Sequence, residues 1–458
     1  MSTRDQFESV SPIEYRYCDE EAAQYLSENA FIHYKLLVEI ALVKALHKRG
    51  VCSASLVKEV VAACEKVTAR EVYKEEKRVR HDVRALVNCI RAKVSDRAKP
   101  YVHLTATSSD IVGSANALRY KDVVLKVLIP ALTELLSVLV RQTLHEAATT
   151  QIGRTHGQHA VPLTFGFACA GYVNRLGESI EALRELAGAL PGKFSGAVGA
   201  YNASALFFGN PEVFEKEVLA ELGLSPAMHA TQIVPPEAMT RLFAEITIVT
   251  GICANVADDM RQLARSEIGE VSEGFCAAQV GSSTMPHKRN PITFENVKSF
   301  WKIIVARTTL VFMDQISEHQ RDLTNSASAR TYGESIVYAV GIARRLTGAI
   351  KNLSVDRTRM AENLEKGKDA IIAEPLYILL ASLGHPDAHE RVRTLVAEAR
   401  VVRCSLLEAV AKADDLAPYL SKMTLRQKKI LSGETSYTGV AEKRARSIAA
   451  YWKRRFGV

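Results

Sequence analysis

Two long helical seams constrain this chain more than any other feature. Met239, Leu242, Ile246, Val249, Cys253, Val256, Met260 and Leu263 follow one another at alternating spacings of three and four. Leu125, Leu128, Leu132, Leu135 and Leu139 do the same. This spacing draws one apolar stripe along a helix, and other helices running alongside must cover it. Each segment extends over about thirty residues, against roughly 11–12 for an ordinary globular helix. Pro130 lies inside the first and predicts a kink there, not a break. Further helical patterns cover about 167–190, 294–315 and 333–352.

Long, nearly parallel helices with apolar seams form a bundle. Seams this long exceed what one chain usually covers, so helices from other subunits are expected to complete it. Residues 20–95 read as shorter helices, and from about 353 the pattern is again short and charged. The expected fold is all-α with three helical domains: an N-terminal domain over 1–104, a central long-helix bundle over 105–352 and a C-terminal domain over 353–458. Only 25 Gly and 14 Pro in 458 residues agree with a helical chain.

Composition removes several function classes. Lys and Arg number 59 against 51 Asp and Glu, a formal charge of +8. They are spread along the chain except at the C-terminal YWKRRFGV, which argues against a nucleic-acid partner. The eight cysteines, at 18, 52, 64, 89, 169, 253, 276 and 404, form no CxxC or finger-like spacing. No metal site is therefore expected, and the thiols are expected to be reduced. The N-terminal MSTRDQFESV lacks the apolar stretch of a signal peptide, and no uncharged apolar run reaches the length of a membrane span. These features predict a cytoplasmic protein without a membrane partner.

Four polar loops separate the helical patterns: HLTATSSD (103–110), IGRTHGQHAVP (152–162), GSSTMPHKRNP (281–291) and HQRDLTNSASAR (319–330). Functional residues concentrate on loops held by a rigid scaffold. In the second loop, His156 and His159 are three apart, which on a helix would place both on one face. One neutral histidine beside a substrate is a natural acid or base near pH 7, and Gly157 would let backbone approach a ligand. His159 reads equally well as a structural hydrogen-bonder. Thr107, Ser108, Ser109 and Asp110 admit two compatible readings: a helix cap supplied by Ser109 or Asp110, and an anion site at a helix N-terminus. Arg321, Ser326 and Arg330 are spaced to meet on one phosphate or carboxylate, or to form a solvated charged turn.

GSSTMPHKRNP contains no carboxylate. A serine becomes a base only where cations and N–H donors stabilise its alkoxide. Each unit of downward pKa shift needs about 1.4 kcal/mol, so the site must be closed and dry. Lys288 and Asn290 are also suited to hold a substrate carboxylate while negative charge builds on it.

GSSTMPHKRNP resembles the signature of the fumarase/aspartase superfamily, GSSxMPxKxNP, at every defined position. TSSD and GRTHGQHAVP are similar to its two other conserved regions, in the same order, and the resemblance covers nearly the whole chain. It implies three helical domains, a central bundle pooled among four subunits, and active sites assembled from three subunits. It further implies β-elimination that releases fumarate, with no metal or organic cofactor. By position, Ser282 matches the base that removes the Cβ proton and His156 the acid that protonates the leaving nitrogen. Ser283 is the neighbouring rival for the base. Lys288 and Asn290 match residues that bind the succinyl part.

Within the superfamily, four features resemble the adenylosuccinate lyase family. Gly157 follows the histidine of RTHGQHA. Arg16 and Tyr17 in EYRYCDEE resemble a phosphate-binding pair. Arg80, His81 and Asp82 of RHDV resemble a motif whose histidine approaches the nucleotide. Arg321, Ser326 and Arg330 match a set that contacts nucleotide and phosphate. SYTGVAEKRA also resembles that family's last domain. Gln232 keeps its place, but Pro236 stands before Glu237 where an arginine is common. Gly113, Ser114, Asn325 and Asn296 are further departures. The implied substrates are adenylosuccinate, giving AMP, and the succinylated aminoimidazole carboxamide ribotide, both reactions of purine nucleotide synthesis. Two other readings remain: a superfamily lyase or cycloisomerase with a different succinyl-type substrate, and a non-catalytic helical scaffold.

Overall fold

The computed structural model describes residues 7, 9–275, 281–433 and 437–458, the side chain of residue 370 excepted. Cys276, Ser436 of the SYTGVAEKRA stretch, and residues 1–6 and 8 of the N-terminal stretch lie outside the described residues. The chain is almost entirely helical. The helices used below are α1 (Glu28–Lys48), α2 (Asp82–Arg91), α3 (Ser108–His145), α4 (Phe165–Gly188), α5 (Glu237–Leu263), α6 (Ile292–Met313), α7 (Tyr332–Lys351), α8 (Arg357–Lys366), α9 (Lys368–Ser382), α10 (Ala388–Val402) and α11 (Ala441–Phe456). Two antiparallel pairs complete it: β1 (Thr150–Thr155) with β2 (Gln158–Thr164), and β3 (Val271–Ser272) with β4 (Ser354–Val355).

The long helices arise where the seams predict them. In α5, Leu242, Ile246, Val249, Cys253, Val256 and Met260 are all buried. In α3, Leu128, Leu132, Leu135 and Leu139 are buried. Each such side chain contributes about 1.5–3 kcal/mol when fully removed from water. With 38 residues, α3 is about 57 Å long. Pro130 does not break it. Proline lacks the N–H that would reach Lys126, and its ring crowds that carbonyl. The helix answers with a π turn over Val124–Leu128, immediately before the proline, and then continues. One expectation needs correction: α1, inside the region read as shorter helices, runs for 21 residues. Its buried face, including Ile32, Leu36, Val38, Leu42 and Leu46, needs that length.

The chain divides into two compact units. The first comprises Met1–Thr133, Glu178–Ala254 and Val297–Arg345; the second comprises Glu134–Gly177, Asn255–Asn296 and Leu346–Val458. Each of α3 to α7 contributes residues to both. In the first unit, Tyr120 of α3 meets Phe243 of α5 edge-on at 5.7 Å, and Phe243 meets Tyr332 of α7 at 5.4 Å. Thr247 of α5 and Thr308 of α6 share a hydrogen bond of 2.6 Å. In the second unit, Trp452 of α11 lies over Gly177 of α4, where a Cβ would stand 2.4 Å from the ring. Its Nε1–H donates to Asn174 at 3.0 Å. Ile372, Leu376 and Leu380 of α9 and Val392 and Leu395 of α10 begin a separate apolar cluster there.

α3 and α5 are each long and apolar enough to cross a membrane. However, 67% and 56% of their most apolar windows are buried inside the protein, so those faces serve the core. The described cysteines are all free.

Candidate active site

The loop read at 152–162 is a β-hairpin, so the two histidines do not share a helix face. Thr155 pairs with Gln158 and Arg154 with His159, leaving His156 and Gly157 as a two-residue turn. Both have positive φ, 54° and 74°, as a type I′ turn requires. Gly157 adopts this freely, while a residue with a side chain gives up roughly 1–2 kcal/mol. His156 is therefore held, strained and exposed, at the tip of the hairpin. His159 lies on β2, where its ring closely approaches Gly367.

Two glutamates that the sequence reading did not single out hold the elements on either side. Glu270 is fully buried. Its carboxylate accepts hydrogen bonds from Gln151 at 2.7 Å, from both terminal nitrogens of Arg154 at 3.1 and 2.6 Å, and from Asn363 of α8 at 2.9 Å. Glu273 accepts the N–H of Thr293 at 3.0 Å and its hydroxyl, at the start of α6. The available signal was the pair of acids in EVSE, eight residues before a loop that contains none.

The GSSTMPHKRNP loop folds on itself. The Asn290 side-chain amide donates to the Gly281 carbonyl at 2.8 Å. A Cβ on Gly281 would stand 2.0 Å from the Lys288 carbonyl oxygen, so only glycine fits. Ser282 Oγ accepts the N–H groups of Met285 at 3.0 Å and Thr284 at 3.3 Å. Among the described residues no such donor pair faces Ser283, which is exposed. Donors aimed at a hydroxyl oxygen favour its alkoxide. Two neutral N–H bonds at about 1 kcal/mol each fall short of the several pKa units that a serine base would need. Lys288 is exposed in the single chain.

The first unit contains a cavity of about 390 Å³. Asp82, Ser108, Ser109, Gln232, Arg321, Ser326 and Arg330 all line it. Ser108 and Ser109 open α3, where backbone N–H groups have no partner inside the helix. Arg321 donates to Asn325 through Nη2, while its buried Nη1 has no partner. The acids on this wall are already engaged. Asp82 binds the buried Lys35 at 3.0 Å; burial opposes its ionisation, but the lysine's charge and hydrogen bond, together with the Val83 N–H and His81, outweigh that and hold the carboxyl below its ordinary range. Asp314 accepts hydroxyls of Tyr332 at 2.5 Å and Ser328 at 2.6 Å. Arg119, missed in the sequence, is buried on the same wall and bonds the neutral Asn116 and Tyr120. The uncompensated charge in the cavity is therefore positive. Gly113, Pro236 and Asn325, three of the sequence departures, also line it.

Five predicted residues of this unit lie outside that lining. Arg16 is exposed. Tyr17 packs edge-on against Phe300 at 4.7 Å and borders a smaller cavity of about 170 Å³ with Arg344 and Arg345. Arg80 ends a helix at φ 55°. His81 caps α2, its Nδ1 accepting the Arg84 N–H at 3.3 Å. The Thr107 N–H donates to Asp110 at 2.8 Å. The capping expectation holds for Asp110, which accepts that N–H in a capping box; Thr107 is the N-cap residue, and Asp110 is buried against Lys193 at 2.6 Å and unable to face a ligand. His156, Ser282, Lys288 and Asn290 belong to the second unit, so neither unit alone holds both sets. Among the described residues no three His, Cys, Asp or Glu side chains cluster as metal ligands.

Comparison with known proteins identifies the family. Residues 13–305 match the lyase family model, and residues 317–428 match the adenylosuccinate lyase C-terminal model. The adenylosuccinate lyase of Pyrococcus abyssi is 36% identical, over 97% of this chain and 98% of its own length. That of Archaeoglobus fulgidus is 33% identical over 96% and 98%. Among solved structures, the 3-carboxy-cis,cis-muconate lactonizing enzyme of Pseudomonas putida superposes with a TM-score of 0.83 at 23% identity, covering 97% of this chain and 99% of that one. A fumarate lyase from Mesorhizobium sp. BNC1 gives 0.83 at 22% identity, over 95% and 98%. At those identities the two structures establish the fold alone. The sequence relatives and both family models go further: this chain belongs to the adenylosuccinate lyase family of the fumarase/aspartase superfamily.

Proposed function

We propose that this chain cleaves the C–N bond of adenylosuccinate by β-elimination, releasing fumarate and AMP. It acts in the same way on the succinylated aminoimidazole carboxamide ribotide. Ser282 removes the Cβ proton and His156 protonates the departing nitrogen. Lys288 and Asn290 hold the succinyl carboxylates, and one N–H of Asn290 is already committed to closing its loop on Gly281. Ser108, Ser109, Gln232, Arg321, Ser326 and Arg330 hold the nucleotide and its phosphate. Arg16, Tyr17, Arg80, His81, Asp82 and Thr107 complete that side. The reaction uses no metal or organic cofactor.

One observation carries the nucleotide reading: three arginines, three serines and a helix N-terminus converge on a cavity whose acids are already engaged. A phosphate-bearing substrate fits such a wall. The three-domain division and a homotetramer with each site shared among three subunits belong to the same reading. They rest on the resemblance to the superfamily, which implies both. A cytoplasmic location goes with it. The experiment is direct: purified protein is given each succinyl nucleotide, and AMP or the ribotide product and fumarate are measured. Absence of turnover with both refutes the reading. Arg330→Ala should abolish nucleotide turnover; if the chain instead turns over an unphosphorylated succinyl compound, unaffected by that change, the substrate is a different one.

A further inference from the structure

Glu270 and Glu273 lie three residues apart in EVSE, a segment whose centre is β3. Extended backbone turns residues three apart to opposite sides. Glu270 faces the hairpin. It clamps Arg154 with both oxygens, and Arg154 stands two residues before His156. Gln151 of β1 and Asn363 of α8 fill the remaining acceptor positions. Glu273 faces the other way and caps α6 at Thr293, three residues after the asparagine that closes the Ser282 loop. The segment itself is anchored: Val271 pairs with Val355, Ser272 with Ser354, and the Glu270 carbonyl accepts the Asp356 N–H at 3.0 Å. Behind it, Gly274 lies so close to Asn352 that a Cβ would stand 2.6 Å from that residue's carbonyl oxygen.

We propose that EVSE is a bracket in which Glu270 and Glu273 are positioning residues, the first for the hairpin bearing His156 and the second for the loop bearing Ser282. This rests on the roles proposed for His156 and Ser282. Neither glutamate touches substrate in this account. Arg154 is mostly buried, its side chain 16% exposed, and without Glu270 its charge would lose its partner. The hairpin would then have to move to reach water. A site displaced by a fraction of an ångström loses rate before it loses binding.

The test uses Glu270→Gln and Glu273→Gln in the full chain, with steady-state kinetics and hydrogen exchange read by mass spectrometry. Each variant should lose about tenfold or more in kcat, while KM for the succinyl nucleotide stays within about threefold, because other elements hold the nucleotide. In Glu270→Gln, exchange should rise across residues 151–164 and stay near wild type across 281–295; Glu273→Gln should show the reverse. Arg154→Lys, which keeps the charge and loses the fork, should act as a milder Glu270→Gln and replaces it if that variant does not fold. Wild-type kcat in the folded variants, unchanged exchange in the named segments, or KM rising in step with the loss of kcat would each overturn the bracket. Should the wild-type chain turn over no succinyl nucleotide, the functional reading falls and the exchange pattern alone decides the bracket.

Discussion

Lys193→Met should unsettle the wall of the cavity proposed to hold the nucleotide, without touching its lining. Lys193 and Asp110 are both fully buried, 2.6 Å apart. The lysine also donates to the Gly196 carbonyl at 2.9 Å. Methionine keeps most of its volume and removes its charge. Asp110 then retains only the N–H groups of Thr107 at 2.8 Å and Gly196 at 3.3 Å. Removing one partner of a buried ion pair costs about 3–5 kcal/mol, because the other charge remains in the interior. Asp110→Asn strands the lysine by the same logic, although the amide can still accept from Thr107. The double variant buries no charge, so it should lose far less than the sum of the singles. Urea and thermal midpoints of the four proteins measure this. Thr107 to Ser109 hang from Asp110, so Lys193→Met should also raise KM more than it lowers kcat. Single losses that simply add in the double variant, or a Lys193→Met protein within about 1 kcal/mol of wild type, would refute the reasoning.

Three other outcomes follow from the structure. His103 Nδ1 lies 2.7 Å from Glu39 Oε1; burial alone would lower the histidine's pKa, but the Glu39 charge and hydrogen bond outweigh it and raise it. The pair's contribution is therefore complete below about pH 6.5 and is lost as pH rises through the folded-state value, so Tm should fall across that window and Glu39→Gln should flatten the fall; parallel slopes would count against it. Inactive His156→Ala and Arg330→Ala proteins, unfolded and refolded together in equal amounts, should recover about a quarter of wild-type activity if each site takes the two residues from different subunits, and none if one chain supplies both. Gly281→Ala forces a Cβ to within 2.0 Å of the Lys288 carbonyl oxygen, so kcat should fall by orders of magnitude with Tm nearly unchanged; near-wild-type kcat would show that the loop's tight closure is dispensable.

Much of the helical scaffold was legible because its signal is periodic. The seam from Met239 to Leu263 became α5 to within two residues, since a continuous apolar stripe has few other solutions. Pro130 also announced a disturbance, though only the structure shows that a π turn before it absorbs the strain. The hairpin was misread because HGQH was measured against a helical repeat; the better clue was a glycine in the second place of a two-residue turn. Contacts between distant segments left no local trace. Lys193 meets Asp110 across 83 positions and Gln151 meets Glu270 across 119, and no spacing rule connects such pairs. Motif resemblance named Arg321, Ser326 and Arg330, but their convergence with Arg119 on one cavity is a property of the folded chain.

The most direct test of the account is fumarate release from adenylosuccinate by wild type, Ser282→Ala and Ser283→Ala, with nucleotide affinity measured alongside. The account predicts that wild type turns the substrate over, that Ser282→Ala loses kcat by orders of magnitude while binding the nucleotide as before, and that Ser283→Ala keeps most of its activity. A Ser282→Ala enzyme with near-wild-type kcat would contradict it.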